Sequence, residues 1–354
     1  MKSLAKLSII AVLFFLFPAC EGGENPSPED QKEAQIELLI DNALDIGVAS
    51  SIVEVENLST QFFTELEALE NGTGPIDLTD LRSSWLELSM GLRRMEVLDV
   101  DFELQMLRVY ARNGGFDSEE LEEKLLNNQS YIPYLGAMNA IEYLIFDEGN
   151  IDAARLLEEQ ESRRELLQSL GANVKTSIDA VKINWESKKE DIRDKFSRNP
   201  GFQLSRISTH MISFIVNSKR ERLMYPMGIL FGSELDAERL EAFRSENSLI
   251  FLQEGYSAWK KAFYGSYENS PNEYGYDDYL IFLEEEALLE NLNLAIQSID
   301  EKMADLSLLK EDVINQPAKV EALIDELQAL EVLLKLDMMS IMQIILFQEQ
   351  HEDD

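Results

Sequence analysis

The stretch GAMNAIEYLIFDEG, residues 136–149, sets the carboxylate of Glu142 among Met138, Ala140, Ile141, Tyr143, Leu144, Ile145 and Phe146, ahead of Asp147 and Glu148. Read as a helix, it places Asn139 and Glu142 at i and i+3, on one face. An amide and a carboxylate so arranged offer oxygen donors to a single partner. Such donors suit hard cations such as calcium or magnesium, whereas an amide oxygen is a weak ligand for zinc or iron. The other reading is that Glu142 pairs with an Arg or Lys across a helix seam. One partner or the other is required, because an unpaired carboxylate loses several kcal/mol on desolvation.

The rest of the chain narrows the chemistry. Only two histidines occur, His210 within RISTHMISFIV and His351 in the acidic C-terminus. The first reads as a packing residue or one with a local hydrogen bond, and the second as solvated. There is no HExxH, Walker loop, GxGxxG or GxSxG, so a conventional zinc-protease site and the common nucleotide and serine-hydrolase signatures are absent. The formal net charge is -36; such a surface repels phosphate backbones and excludes nucleic acid as a partner. Five tyrosines in YGSYENSPNEYGYDDY, residues 264–279, are suited to stacking on sugars or covering a cleft, or else belong to an ordinary long loop.

The first residues read as an export signal. Lys2 and Lys6 precede the apolar run LSIIAVLFFLF, too short to span a bilayer, which needs roughly 20 apolar residues. It ends in FPAC, and Cys20 is the only cysteine. The arrangement resembles the lipobox of bacterial lipoproteins, with Phe17 in place of the usual Leu. Residues 1–19 are then the signal peptide, Cys20 the lipidated first residue, and residues 20–32 a polar tether rich in Gly and Pro. No disulfide within the chain is available, and no cysteine is left for catalysis. The expected location is the bacterial cell envelope, anchored to the outer membrane on its periplasmic or surface face.

Beyond the tether the helical period dominates. Ile36, Leu39, Ile40, Ala43 and Ile46 begin a pattern that runs to Leu69. NGTGP interrupts it, and a new helix is expected from Thr79 as N-cap; another restarts at Asp117 or Ser118. Leu156 to Phe196 reads as long helix, SRNPGF as a break, and further helices are expected over 203–224, 235–264, 278–313 and 318–347. Alternating strands with hairpin turns are lacking. The class is all-α, with two packed helical bundles of about four helices each, residues 33–190 and 191–350.

AMNAIEYLIF is similar to the GxHxxE segment of the imelysin family, whose members read close to GFHAIEYLLF. LRSSWLELSMGLRRMEVL, FIVNSKRERLMYPMG, SENSLIFLQEGYSAWKKAFYG and LKLDMMSIMQIILFQEQHEDD resemble further family segments, in order, over roughly residues 33–350. The resemblance implies two four-helix bundles, export, frequent lipid anchoring, and a site between the bundles. The family includes proteins described as insulin-cleaving membrane proteases and proteins tied to iron uptake. By position, Asn139 stands where the family has His, Glu142 matches its Glu, and Ala137 stands where it has Gly. Glu96 and Ser248 are candidate neighbours in a ligand pocket, and Glu142 is the candidate ligand for iron, zinc or calcium. The expectation is a non-catalytic protein that binds a ligand or metal in iron or nutrient acquisition. The alternatives are an imelysin-type metallopeptidase and a structural or interaction lipoprotein with a dead site.

Overall fold

The computed structural model describes residues 27–71, 75–98, 117–127, 129, 131, 136–147, 152–230, 232–267 and 273–345. The expectations for the export signal, Cys20, most of the tether and His351 lie outside them. Among the described residues the regular structure is helical and no strand occurs, as the periodicity predicts.

Helix α1 (Pro28–Asp41) starts from a capping box in which Ser27 and Asp30 satisfy each other's backbone N–H groups. The apolar spacing from Ile36 onward runs through α1, a π-helical stretch at Asn42–Val48 and α2 (Ala49–Asn71). Helix α3 (Thr79–Glu96) follows; α4 (Ser118–Leu126) is capped by Asp117. The cap of α3 differs from expectation. Thr79 is already helical, and Asp77 Oδ1 accepts its N–H at 2.9 Å. Helices α5 (Ala137–Ile145), α6 (Ala153–Glu159) and the long α7 (Glu161–Arg198) come next. The break at SRNPGF narrows to Asn199, whose side chain caps α8 (Pro200–Lys219); a π-helical turn, Arg220–Met224, extends α8.

The helix expected over 235–264 forms only in its second half. A 3-10 turn at Ala237–Arg239 leads into a loop, and α9 begins at Ser248 and ends at Phe263. Ala242 and Glu246 in that loop have φ of 56° and 61°, left-handed values that a continuing α-helix cannot contain. The helix expected over 278–313 likewise divides into α10 (Tyr276–Phe282), α11 (Glu286–Ala304) and α12 (Leu309–Asn315). Glu284 turns left-handed between the first two. Asp312 Oδ2 takes the Ser307 and Leu308 N–H groups before the third, at 2.7 and 3.2 Å. The last apolar stripe becomes α13 (Pro317–Val332), a π stretch and α14 (Met339–Met342).

Helices α2, α3, α5 and α7 pack as one bundle, and α8, α11 and α13 form the spine of the other. Two elements cross between them. Helix α1 lies against α8 and α10, and α9 lies along α3 while also touching α8. Gly255 permits that approach: a Cβ there would stand 2.7 Å from the Phe214 ring of α8 and 3.7 Å from the Arg93 carbonyl of α3. All five tyrosines of residues 264–279 are buried or half-buried. Tyr276 and Tyr279 are buried, and Asn42 Nδ2 ties Gly265 O and Tyr274 O together at 3.0 and 2.9 Å.

Candidate functional site

Helix α5 is short because Gly136, left-handed at φ 83°, starts it and Phe146 returns to extended backbone. Its position is fixed from α3. Trp85 Nε1 donates to Met138 O at 3.1 Å, and Arg82 Nε donates to Ile145 O at 2.6 Å. This seating buries Glu142, which is 3% exposed. Its partner is a backbone amide: Ser245 N–H donates to Glu142 Oε1 at 2.7 Å. Burial pushes the Glu142 carboxyl above the usual carboxylate range, and the Ser245 amide and hydroxyl and the Arg244 charge only partly reverse this. Asn139 is half-buried one turn earlier on the same helix.

The loop that supplies the amide is held at several points. Glu241 enters a four-charge cluster with Arg93 and Glu96 of α3 and Arg222 of the π turn after α8. Arg93 Nη1 lies 3.0 Å from Glu96 Oε2, and Arg222 Nε lies 3.0 Å from Glu241 Oε2. Each arginine also contacts the other glutamate. All four side chains are 10% exposed or less. Burial alone pulls the Arg222 guanidinium down; Glu96 and Glu241 outweigh it and leave its pKa raised. Ser248 Oγ donates to the Glu241 carbonyl, and Arg222 Nη1 donates to Ser218 Oγ at 3.0 Å. Arg244 lies 4.7 Å from the centroid of the Tyr143 ring. Tyr143 Oη donates to Glu122 at 2.7 Å, and its pKa is pushed up to about 12 by burial first and by Glu122 second. These contacts hold Ala242 and Glu246 in their left-handed conformations, which cost about 1–3 kcal/mol each.

The four residues singled out from the sequence therefore converge on one seam. Glu142 touches the loop directly, Ser248 meets it at the Glu241 carbonyl, Glu96 reaches it through Arg93 and Arg222, which also hold Glu241, and Asn139 lies beside Glu142 on α5. Arg222, Glu241 and Ser245 are the members that sequence reading missed. No local pattern marks them, since their partners are 126, 148 and 103 residues away in the chain. The Arg93–Glu96 pair, at i and i+3, was the available signal.

The family model for imelysin, named as a peptidase family, matches residues 64–336. The chain belongs to the imelysin family. Two solved structures have the same fold. An imelysin-like protein from Psychrobacter arcticum 273-4 is 13% identical with a TM-score of 0.71, over 89% of this chain and 98% of that one. A putative iron-regulated protein A precursor from Parabacteroides distasonis ATCC 8503 is 13% identical with a TM-score of 0.72, over 92% and 97%. No curated protein matches.

The seam of this imelysin does not fit a metal held by His and carboxylate ligands. Position 139 offers an amide, the Glu142 carboxylate already accepts the Ser245 amide, and Glu96 and Glu241 face arginines. Among the described residues no group of three or more His, Cys, Asp or Glu side chains could hold a metal ion. Among the described residues the expectation of a metal at Glu142 thus finds no ligand set. The reason is charge: Glu96 and Glu241 are matched by guanidinium groups and Glu142 by an N–H. A separate cleft of about 810 Å³ lies between the end of α2, the start of α3 and the α6–α7 corner. Glu65, Asp77, Asp80, Glu158, Glu161 and Glu165 line it, with Arg164 among them.

Proposed function

We propose that this imelysin is a non-catalytic binding lipoprotein of the bacterial cell envelope, anchored through Cys20 to the outer membrane and serving iron or nutrient acquisition. The observation that carries the non-catalytic reading is the Ser245 N–H on Glu142 Oε1. The carboxylate that the family resemblance marks is spent on holding a loop, and position 139 has no imidazole to share a metal or a proton with it. The binding role is supported by family membership and by the likeness to a structure described as iron-regulated. Among the described residues no helix is long and apolar enough to cross a membrane, which suits a lipid anchor as the means of attachment.

A second reading, an interaction lipoprotein with a dead site, is favoured by the closure of the seam by two arginines and two glutamates. Calorimetric titration with zinc and ferrous iron, and with iron complexed by small chelators, separates these readings. Binding of a complexed or small-molecule ligand without free zinc supports the first. Tight zinc binding abolished by Glu142→Ala supports a metallopeptidase and sinks both. Asn139→His adds a check. A gain in zinc affinity shows that the other donors remain able to turn toward a metal; no gain shows Glu142 committed to the loop.

A further inference from the structure

Two stretches of backbone touch where α9 ends and α10 begins. Gly265 is left-handed at φ 60°. A Cβ there would stand 2.3 Å from the Tyr274 carbonyl carbon, and one on Gly275 would stand 2.4 Å from that of Tyr264. No side chain therefore fits between the two passes. Asn42, which follows α1 directly, is buried, and its Nδ2 donates to one carbonyl of each pass, Gly265 O and Tyr274 O. This amide clasps the end of α1 to the start of α10.

Asp277 stands in the first turn of α10, beside the clasp. Its Oδ1 is shut off from water and accepts no hydrogen bond. The groups around it do not neutralise a charge. Asp278, next in the chain, is a second carboxylate, engaged through Oδ2 with the Gly275 N–H at 3.2 Å. Tyr264, at the end of α9, and Tyr274 both feel the Asp277 charge. Tyr264 Oη donates instead to Asn293 Oδ1 at 2.7 Å, and Tyr274 Oη and Tyr279 Oη are buried without partners. The helices packed on α10 are α1 and α11. The first brings the neutral Asn42 amide to its end; Asp300 of the second, which also acts on Tyr264, is held by Lys260 at 2.6 Å. Burial pushes the Asp277 carboxyl up to about 6, Asp278 adds to this, and the backbone N–H groups of residues 278 and 277 reverse it only in part.

We propose that Asp277 makes the Asn42 clasp a pH-sensitive catch, closed while the carboxyl is protonated and loosened when it ionises. A neutral carboxyl can stay under the touching backbones. An ionised one has a buried oxygen without a donor and a like charge beside it, and it is stabilised only by reaching water. Water reaches it when the passes at Gly265 and Tyr274 part, and parting them takes away the two acceptors of the Asn42 amide. The open form has the ordinary carboxyl affinity for protons and the closed form a higher one, so opening is favoured as pH rises from 3.8 through about 6. Helix α1, which crosses onto α8 and α10 of the second bundle, is thereby released at its Asn42 end.

The test is hydrogen exchange read by mass spectrometry on the full chain at about pH 5 and about pH 7.5, each rate corrected for the intrinsic pH dependence of amide exchange. Peptides spanning residues 38–48 and 262–282 report the clasp. A peptide within α13 (Pro317–Val332) reports opening of the whole fold. The change from 3.8 to about 6 corresponds to about tenfold more opening between those two pH values, and solvent screening of a half-buried group lowers this to about three- to tenfold. Wild type should show that rise in both reporting peptides, at rates well above those of α13. Asp277→Asn and Asp277→Ser, both neutral, should remove it; two variants are used because either alone could fail to fold. Asn42→Ala should exchange fast in both peptides at both pH values. Wild-type protection that does not change with pH, or the same rise in a folded neutral variant, overturns the proposal.

Discussion

Replacing Glu142 tests whether its role is to hold the loop. Glu142→Ala deletes the acceptor of the Ser245 N–H and leaves that buried donor unsatisfied, which costs about 1–3 kcal/mol. It also opens a small cavity between α5 and a loop whose left-handed residues, Ala242 and Glu246, need external support. Glu142→Gln keeps an oxygen at the same reach and removes the charge. Because burial raises the folded carboxyl above its ordinary 4.5, the native state binds more protons than the unfolded chain above that pH. Stability therefore falls as pH rises from about 4.5 through the folded value, and the full penalty is present above it. Glu142→Gln has no such penalty. Urea unfolding of the three proteins across pH is the assay. Glu142→Ala should lose about 1–3 kcal/mol. Wild type should lose stability relative to Glu142→Gln as pH rises from 4.5. An alanine variant indistinguishable from wild type, together with parallel pH curves for wild type and glutamine variant, would refute the loop-holding role.

Arg222→Ala leaves Glu96 and Glu241 buried with Arg93 as their common partner; breaking a buried ion cluster in this way should cost about 3–5 kcal/mol by urea unfolding. Gly255→Ala forces a Cβ to within 2.7 Å of the Phe214 ring, so it should destabilise by about 1–3 kcal/mol, checked by thermal unfolding. Asp277, pushed up to about 6 by burial first and by Asp278 second, makes wild type lose stability as pH rises from 3.8 through 6; Asp277→Asn should flatten that part of the profile in the same unfolding series. Cys20→Ala should release the protein from membranes, and the native N-terminal peptide should carry acyl groups by mass spectrometry; a variant still found in the membrane fraction would count against the anchor.

Much of the fold was legible because a helix declares itself locally. The spacing of Val320, Leu323, Leu327, Leu330 and Leu334 marks a buried stripe whichever surface receives it. Asp117 marks a helix start by reaching amides only two or three residues away. The all-α class, the order of most helices and the family's segments were readable on this basis. So was the prominence of Glu142, since a carboxylate among apolar neighbours requires a partner. What was not legible lay in contacts between distant residues. Nothing near residue 240 in the chain shows that the loop there is held open by Arg93, Arg222 and Glu142, and so the apolar pattern was extended into a helix that Ala242 and Glu246 interrupt. Nor does the order of helices disclose that α1 rests on α8 and α9 on α3. The sequence determined that Glu142 would be buried and needed a partner, because burial follows from helical period. Only the tertiary structure decided that the partner was a backbone amide 103 residues away, because that choice depends on which surfaces two bundles bring together, and local periodicity carries no information about it.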